Sequence, residues 1–184
     1  MAREVFRLEG ANELNEVFAQ LTDDFGPRDG KRILLRAIRK SLGIVLAQAK
    51  MEVAKDTGAL AASLQIEARR VTSKDKRSRY VEPRDDFIGA VTTASGKKLQ
   101  NLKFVNLRSN EIYKTKRKAI KQIGVESDGR AAMLEFGTAN RAARPFLRPA
   151  LEANKQVVAE SLGQYIKKEI ETYKARRAKK LGQG

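Results

Sequence analysis

Few residues in this 184-residue chain have the types needed for acid–base, nucleophilic or metal chemistry. It contains no histidine and no cysteine. Imidazole proton transfer, thiolate attack and Cys/His zinc sites are therefore excluded. A metal cluster would have to be built from carboxylates alone. The acidic pairs Asp23-Asp24 and Asp85-Asp86 lie in turn contexts, where capping and turn roles are the usual use of Asp. No glycine-rich phosphate loop, dinucleotide fingerprint or GxSxG elbow is present. The chain is expected to be non-enzymatic, with no cofactor and no metal.

Two stretches concentrate turn chemistry with charge. The first is "DTGALAASL", residues 56–64. There Asp56, Thr57, Gly58 and Leu60 make a turn motif, with Gly58 able to take a positive φ at little cost. The second is "LEFGTANRAARPFLRPA", residues 134–150. Gly137 supplies a bend, and Thr138 can bond its own backbone. Pro145 pushes Arg144 out of helical space. Glu135 is the only acid between residues 130 and 151, within reach of Arg141, Arg144 or Arg148 if the loop folds back. Two readings follow. One is a helix entrance locked by a salt bridge and a buried Phe146. The other is a recognition loop docked on a neighbouring subunit, with Phe146 as anchor and Arg144 and Arg148 meeting acids.

The elements that position these stretches follow from periodicity. Residues 3–9 read as a short strand and 12–25 as a helix capped by Asn12. "GPRDG", residues 26–30, reads as a turn. A longer helix is expected over 31–55, with Leu34, Ile38, Leu42, Val45, Ala49 and Val53 forming one apolar stripe. Residues 64–72 and 87–93 read as strands and 73–86 as a polar loop. Residues 95–124 form a basic insertion with a short helix near 110–121. Residues 131–136 permit either helix or strand. A final helix starts at Arg148-Pro149, with the stripe Leu151, Val158, Leu162, Tyr165, Ile166, Ile170 and Tyr173. Residues 1–172 are expected to form one domain and 173–184 a flexible basic tail.

Charge dominates the composition: 38 Lys and Arg against 22 Asp and Glu give +16. Such an excess suits nucleic acid or an acidic protein surface, or serves solubility. Lys97, Lys98, Lys103, Lys116, Arg117 and Lys118 are the candidate contacts to DNA or an acidic partner. Tyr80, Phe104 and Tyr113 interleave too sparsely for a base-stacking platform. The opening "MAREVFRLEG" lacks an apolar h-region, and no apolar run approaches the ~20 residues of a membrane span. A soluble chain made in the cytoplasm is expected, with no membrane partner.

The motif order also carries a family likeness. "DTGAL" with Ser63 and Leu64, then "LEFGT" (Glu135, Phe136, Gly137, Thr138), then "ARPFLRPA" (Ala143–Ala150), then a long helix, resembles the tailed-bacteriophage head–tail joining family. Its members are also called tail completion or minor tail components of siphophages. The likeness covers residues 31–72 and 130–170 and leaves the insertion 95–124 uncovered. It implies an α+β fold, a small antiparallel sheet packed against two long helices, with a long C-terminal helix. It implies a virion protein of the neck that forms a homo-oligomeric ring, a hexamer or a dodecamer. Such a ring would touch head-completion, neighbouring neck and tail-tube or terminator proteins, and would lie beside packaged DNA. Glu135, Phe136, Gly137, Thr138, Arg144, Pro145, Phe146 and Arg148 are the subunit-interface candidates. The alternatives are a tail terminator ring and, in a different class, a basic non-catalytic nucleic-acid-binding protein.

Overall fold

The computed structural model describes residues 11–53, 58–77, 81–83, 85–94, 103–114 and 128–182. The expected strand at 3–9 lies outside these residues. So do Asp56, Thr57, Lys97, Lys98, Lys116, Arg117 and Lys118. Lys103 lies in a strand, and only its backbone is described.

The fold is α+β. Helices α1 (Ala11–Phe25), α2 (Pro27–Ser41) and α3 (Gly43–Glu52) come first, then the short α4 (Ala59–Ser63). Strands β1 (Leu64–Arg70) and β2 (Phe87–Thr93) form one two-stranded sheet, and β3 (Lys103–Val105) and β4 (Ile112–Lys114) another. Helices α5 (Asp128–Phe136) and α6 (Leu147–Leu181) complete the order. The β1–β2 pair is antiparallel: Ala94 N donates to Ser63 O at 2.7 Å at one end, and Val71 N to Asp86 O at 3.0 Å at the other.

"GPRDG" differs from expectation. Only Gly26 bends, at φ 81°, and α2 already begins at Pro27. Proline at the first helical position has no N–H to waste, and Asp29 in the first turn complements the helix dipole. The expected helix 31–55 is likewise two helices. It breaks at Leu42, which keeps helical angles (φ −75°, ψ −3°) and donates to Ile38 O. The predicted stripe survives the break: Leu34, Ile38, Leu42, Val45, Ala49 and Val53 are all buried.

The chain forms two compact units. The first comprises Met1–Leu42, Glu67–Ala90 and Lys155–Gly184. In it α1 lies close on α2, because a Cβ at Gly30 would sit 2.8 Å from Leu21 O. Gly89 of β2 lies close on α2, its Cβ position 2.6 Å from an Ile38 methyl group, so a larger residue would make that side chain shift. Arg39 donates to Ala68 O on β1 at 2.8 Å. Phe18 meets Phe87 edge-on at 4.7 Å. The buried Glu169 of α6 takes Lys40 at 2.5 Å and Arg36 at 3.8 Å. Buried carboxylates persist only when paired in this way. Arg69 forks onto Asp75, which also accepts the Thr72 N–H and hydroxyl, pinning the loop after β1. The Arg69 guanidinium, then Thr72, hold the Asp75 carboxyl far below its ordinary range.

The second unit comprises Gly43–Ile66 and Val91–Asn154. Here the structure corrects the start of the helix expected near 110–121: residues 112–114 are strand β4, paired antiparallel with β3, and residues 115–121 lie outside the described residues. The cause is a tight turn. Asn110 takes φ 56°, its N–H donates to Asn106 O at 2.7 Å, and Asn106 Oδ1 accepts the Arg108 N–H. Asparagine tolerates this left-handed geometry better than other residues with a side chain. Residues 131–136, open between helix and strand, are helical within α5.

Helix α6 spans 35 residues and continues through Leu181, so the basic segment after residue 172, expected as a tail, is helical. Among the described residues, no helix is long and apolar enough to cross a membrane.

Candidate functional site

The site lies in the second unit, where α5 ends and α6 begins. Gly137 terminates α5, its N–H donating to Met133 O at 2.9 Å and its φ at +77°. A Cβ there would lie 2.9 Å from both Ala143 N and Arg141 O. Both contacts are backbone, so only glycine fits. Thr138 and Arg141 then exchange backbone bonds of 2.9 and 3.2 Å, reversing the chain. Arg144 N donates to Leu134 O at 2.7 Å, which holds the returning strand against α5.

This path brings Glu135 to the start of α6. Its Oε2 accepts the N–H groups of Phe146 (2.9 Å) and Leu147 (3.0 Å), and its Oε1 accepts the N–H of Arg148 (3.1 Å). A helix leaves its first four N–H groups without an intrahelical partner. Here three are taken by one carboxylate, and the fourth position is Pro149, which has no N–H. Arg148 closes the corner: its Nε donates to Glu135 Oε1 at 3.0 Å and its Nη2 to Glu135 O at 2.9 Å. The negative carboxylate also complements the positive end of the α6 dipole. Burial pushes the Glu135 carboxyl up. The Leu147 and Phe146 N–H groups and Arg148 outweigh that and hold it below the ordinary carboxylate value.

Of the two readings of this stretch, the geometry is that of the locked helix entrance. Phe146 is only 1% exposed, so its ring is already used inside its own chain. The expected role of Phe146 as an anchor on a neighbour is therefore corrected to a core role. Arg148 is paired within its own chain, not waiting for a neighbour's acid. Arg144 and Pro145 are exposed.

The residue left outside is Phe136, 67% exposed, with the Arg148 guanidinium 5.3 Å from its ring centre. Met133, three residues earlier on α5, is 55% exposed. Beside Phe136 runs an open, mainly apolar groove of about 320 Å³, lined by Thr92, Ala131, Ala132, Phe136, Leu147 and Arg148 among others. Eight of the nine large exposed apolar side chains among the described residues belong to this unit. Val105, Leu107 and Ile112 of the β3–β4 hairpin are three of them.

The "DTGAL" stretch builds a second corner in the same unit. Gly58 sits at φ 79° and starts α4, its carbonyl accepting the Ala62 N–H at 3.0 Å. Its Cβ position lies 3.3 Å from both Val105 O and a Leu107 side-chain carbon, so the hairpin comes close to the turn. Leu60 is half-buried, and Ser63 is buried and bonds Leu60 O at 2.8 Å.

Two of the buried polar residues that escaped the sequence reading lie on α6. Asn154 is buried on α6, donating to Ala150 O at 2.8 Å and to Gln48 Oε1. Glu169 is the other. Both sit on the inward line of α6 at helical spacing from Ala150 and Val158, which was the available signal. Of the acidic pairs, Asp85 accepts the Glu82 N–H in a turn, and Asp23 and Asp24 are exposed. Among the described residues no three His, Cys, Asp or Glu converge as metal ligands. No protein-family model, curated protein or solved structure matches the chain.

Proposed function

We propose that this chain is a structural subunit of the tailed-phage neck, a ring-forming head–tail joining or tail completion protein. The support is the motif order together with the α+β fold that such a likeness implies. One observation carries the reading furthest. The "LEFGT" and "ARPFLRP" motifs interlock into a braced corner, and that corner leaves Phe136 exposed beside an apolar groove. A rigid corner with a large aromatic on its outside is suited to subunit contact, since aromatics anchor interfaces and pre-organisation lowers the cost of binding. A ring needs two different surfaces on each copy, so that head-to-tail contacts close. The groove side with Phe136 is one. The exposed apolar hairpin β3–β4 is the second.

The test is electron microscopy of particles from the encoding phage, with the gene deleted and with Phe136→Ser. Filled heads and finished tails that fail to join support the reading. Tails with abnormal upper ends would assign the terminator role instead. Normal, infectious particles after deletion would refute any place in the virion. Phe136→Ser should reproduce the deletion defect while the purified variant keeps wild-type thermal stability, because this ring is mostly in solvent.

A further inference from the structure

The inward line of α6 changes character within the first unit. Ile166, Glu169 and Tyr173 recur at spacings of three and four and are buried or half-buried. The same spacing continues as Arg176, Arg177 and Lys180. From Lys174 to Lys180 every residue is exposed, and the only uncharged ones are Ala175 and Ala178. A helix continuing to pack on its own unit would keep its apolar line. This one exchanges it for cations.

The same region gathers cations from a second element. Tyr173 donates to Asp29 at 2.7 Å and packs edge-on against Phe25 at 5.3 Å, which ties α6 to the start of α2. The Asp29 bond raises the Tyr173 hydroxyl pKa, with Arg177 opposing. Tyr173, then Arg32 and Arg28, hold the Asp29 carboxyl low. Arg32 pairs with Asp29 at 3.4 Å, Arg28 and Arg177 act on the same tyrosine–carboxylate pair, and Lys174 Nζ lies 5.9 Å from the Phe25 ring centre. Over residues 23–32 and 171–180, Lys and Arg outnumber Asp and Glu eight to four. One of the four acids, Asp29, is already occupied.

We infer that this composite patch, the last turns of α6 with Arg28 and Arg32 of α2, binds the phosphate backbone of duplex DNA without reading sequence. The residue types choose the partner. A membrane-surface helix needs bulky apolar residues opposite its cations, and only alanines are available here. A protein interface needs aromatic or aliphatic anchors and is depleted in lysine. Single-strand binding needs free stacking aromatics; residues 174–181 contain none, and Phe25 and Tyr173 are half-buried against each other. A dense array of Lys and Arg on a fixed helix, without anchors, fits a polyanion of high charge density. This inference is independent of the neck assignment.

The experiment is fluorescence anisotropy of the full chain with a labelled duplex across a salt series. If about five phosphates are contacted, log K should fall with log salt at a slope of about −4.5. The triple variant Arg176→Gln, Lys179→Gln, Lys180→Gln should lower that slope by about 2.7, with helix content unchanged by circular dichroism. Lys180→Gln alone should lower it by about 0.9, which gives a readout should the triple variant lose helix. A scrambled duplex should bind equally. Equal loss of slope in the control Lys50→Gln, Arg141→Gln, Arg144→Gln would make the effect one of global charge and overturn the site. So would binding as tight to polyglutamate, to phosphatidylserine vesicles, or no binding to DNA at low salt.

Discussion

Glu135→Ala is the sharpest perturbation of the corner between α5 and α6. The carboxylate accepts three backbone N–H groups and one guanidinium N–H, all between 2.9 and 3.1 Å. A hydrogen bond to a charged group contributes about 1.5–3 kcal/mol net, and a lost cap about 1 kcal/mol. The contributions do not simply add, because the Leu147 and Arg148 N–H groups are only partly buried and water can replace the carboxylate there. The Phe146 N–H is buried and would be left without a partner. The expected cost is about 3 kcal/mol, which for a chain of this size lowers Tm by about 6–12 °C. Arg148→Ala removes only the half of the corner that faces solvent, with its side chain 55% exposed, and should cost about 0.5–1 kcal/mol. Glu135→Gln, which keeps an acceptor but no charge, should fall between the two. Urea denaturation of the three variants measures the ordering. Equal losses for Glu135→Ala and Arg148→Ala would show that the ion pair, not the helix cap, holds the corner. A loss under about 0.5 kcal/mol for Glu135→Ala would refute the locked entrance altogether.

Other predictions follow from the same geometry. Because the Glu135 pKa is lowered on folding, its stabilisation is fully present above the unfolded carboxylate value, about 4.3, and is lost as pH falls through the folded value. Glu135→Ala should therefore weaken the acid dependence of stability in that window, read by denaturation at a series of pH values. Gly137→Ala should cost about 2 kcal/mol or more, since φ is +77° and the new Cβ meets backbone at 2.9 Å. Gly163→Ala, in an open stretch of α6 with nothing within 4 Å, should instead raise stability by about 0.5–1 kcal/mol. Phe146→Ala should cost about 3–5 kcal/mol through the cavity it leaves. Loss of assembly in that variant would therefore follow from loss of fold, whereas Phe136→Ser isolates the surface.

Local pattern carried much of the architecture. The six-residue stripe from Leu34 to Val53, the strands β1 and β2, and a last helix entered near Pro149 all follow from periodicity and turn chemistry, because burial repeats with the period of the element. Gly58 and Gly137 were legible as bends, and both take positive φ. Tertiary structure decided what these elements do to one another. Glu135 caps a helix that begins twelve residues later, across a chain reversal, so no local capping pattern announces it. Phe146 read equally well as an anchor or as core, and only the folded path, which buries it and leaves Phe136 outside, separates the two. Asn154 and Glu169 carry no signal in the sequence of their partners Gln48 and Lys40, which lie more than a hundred residues away. The helical turns from Lys174 onward appear as a basic tail in one dimension. In three, the bond from Tyr173 to Asp29 ties them to the cations of α2. Periodicity reports which face of an element is buried. It does not report which distant group meets that face, because that depends on where the chain returns.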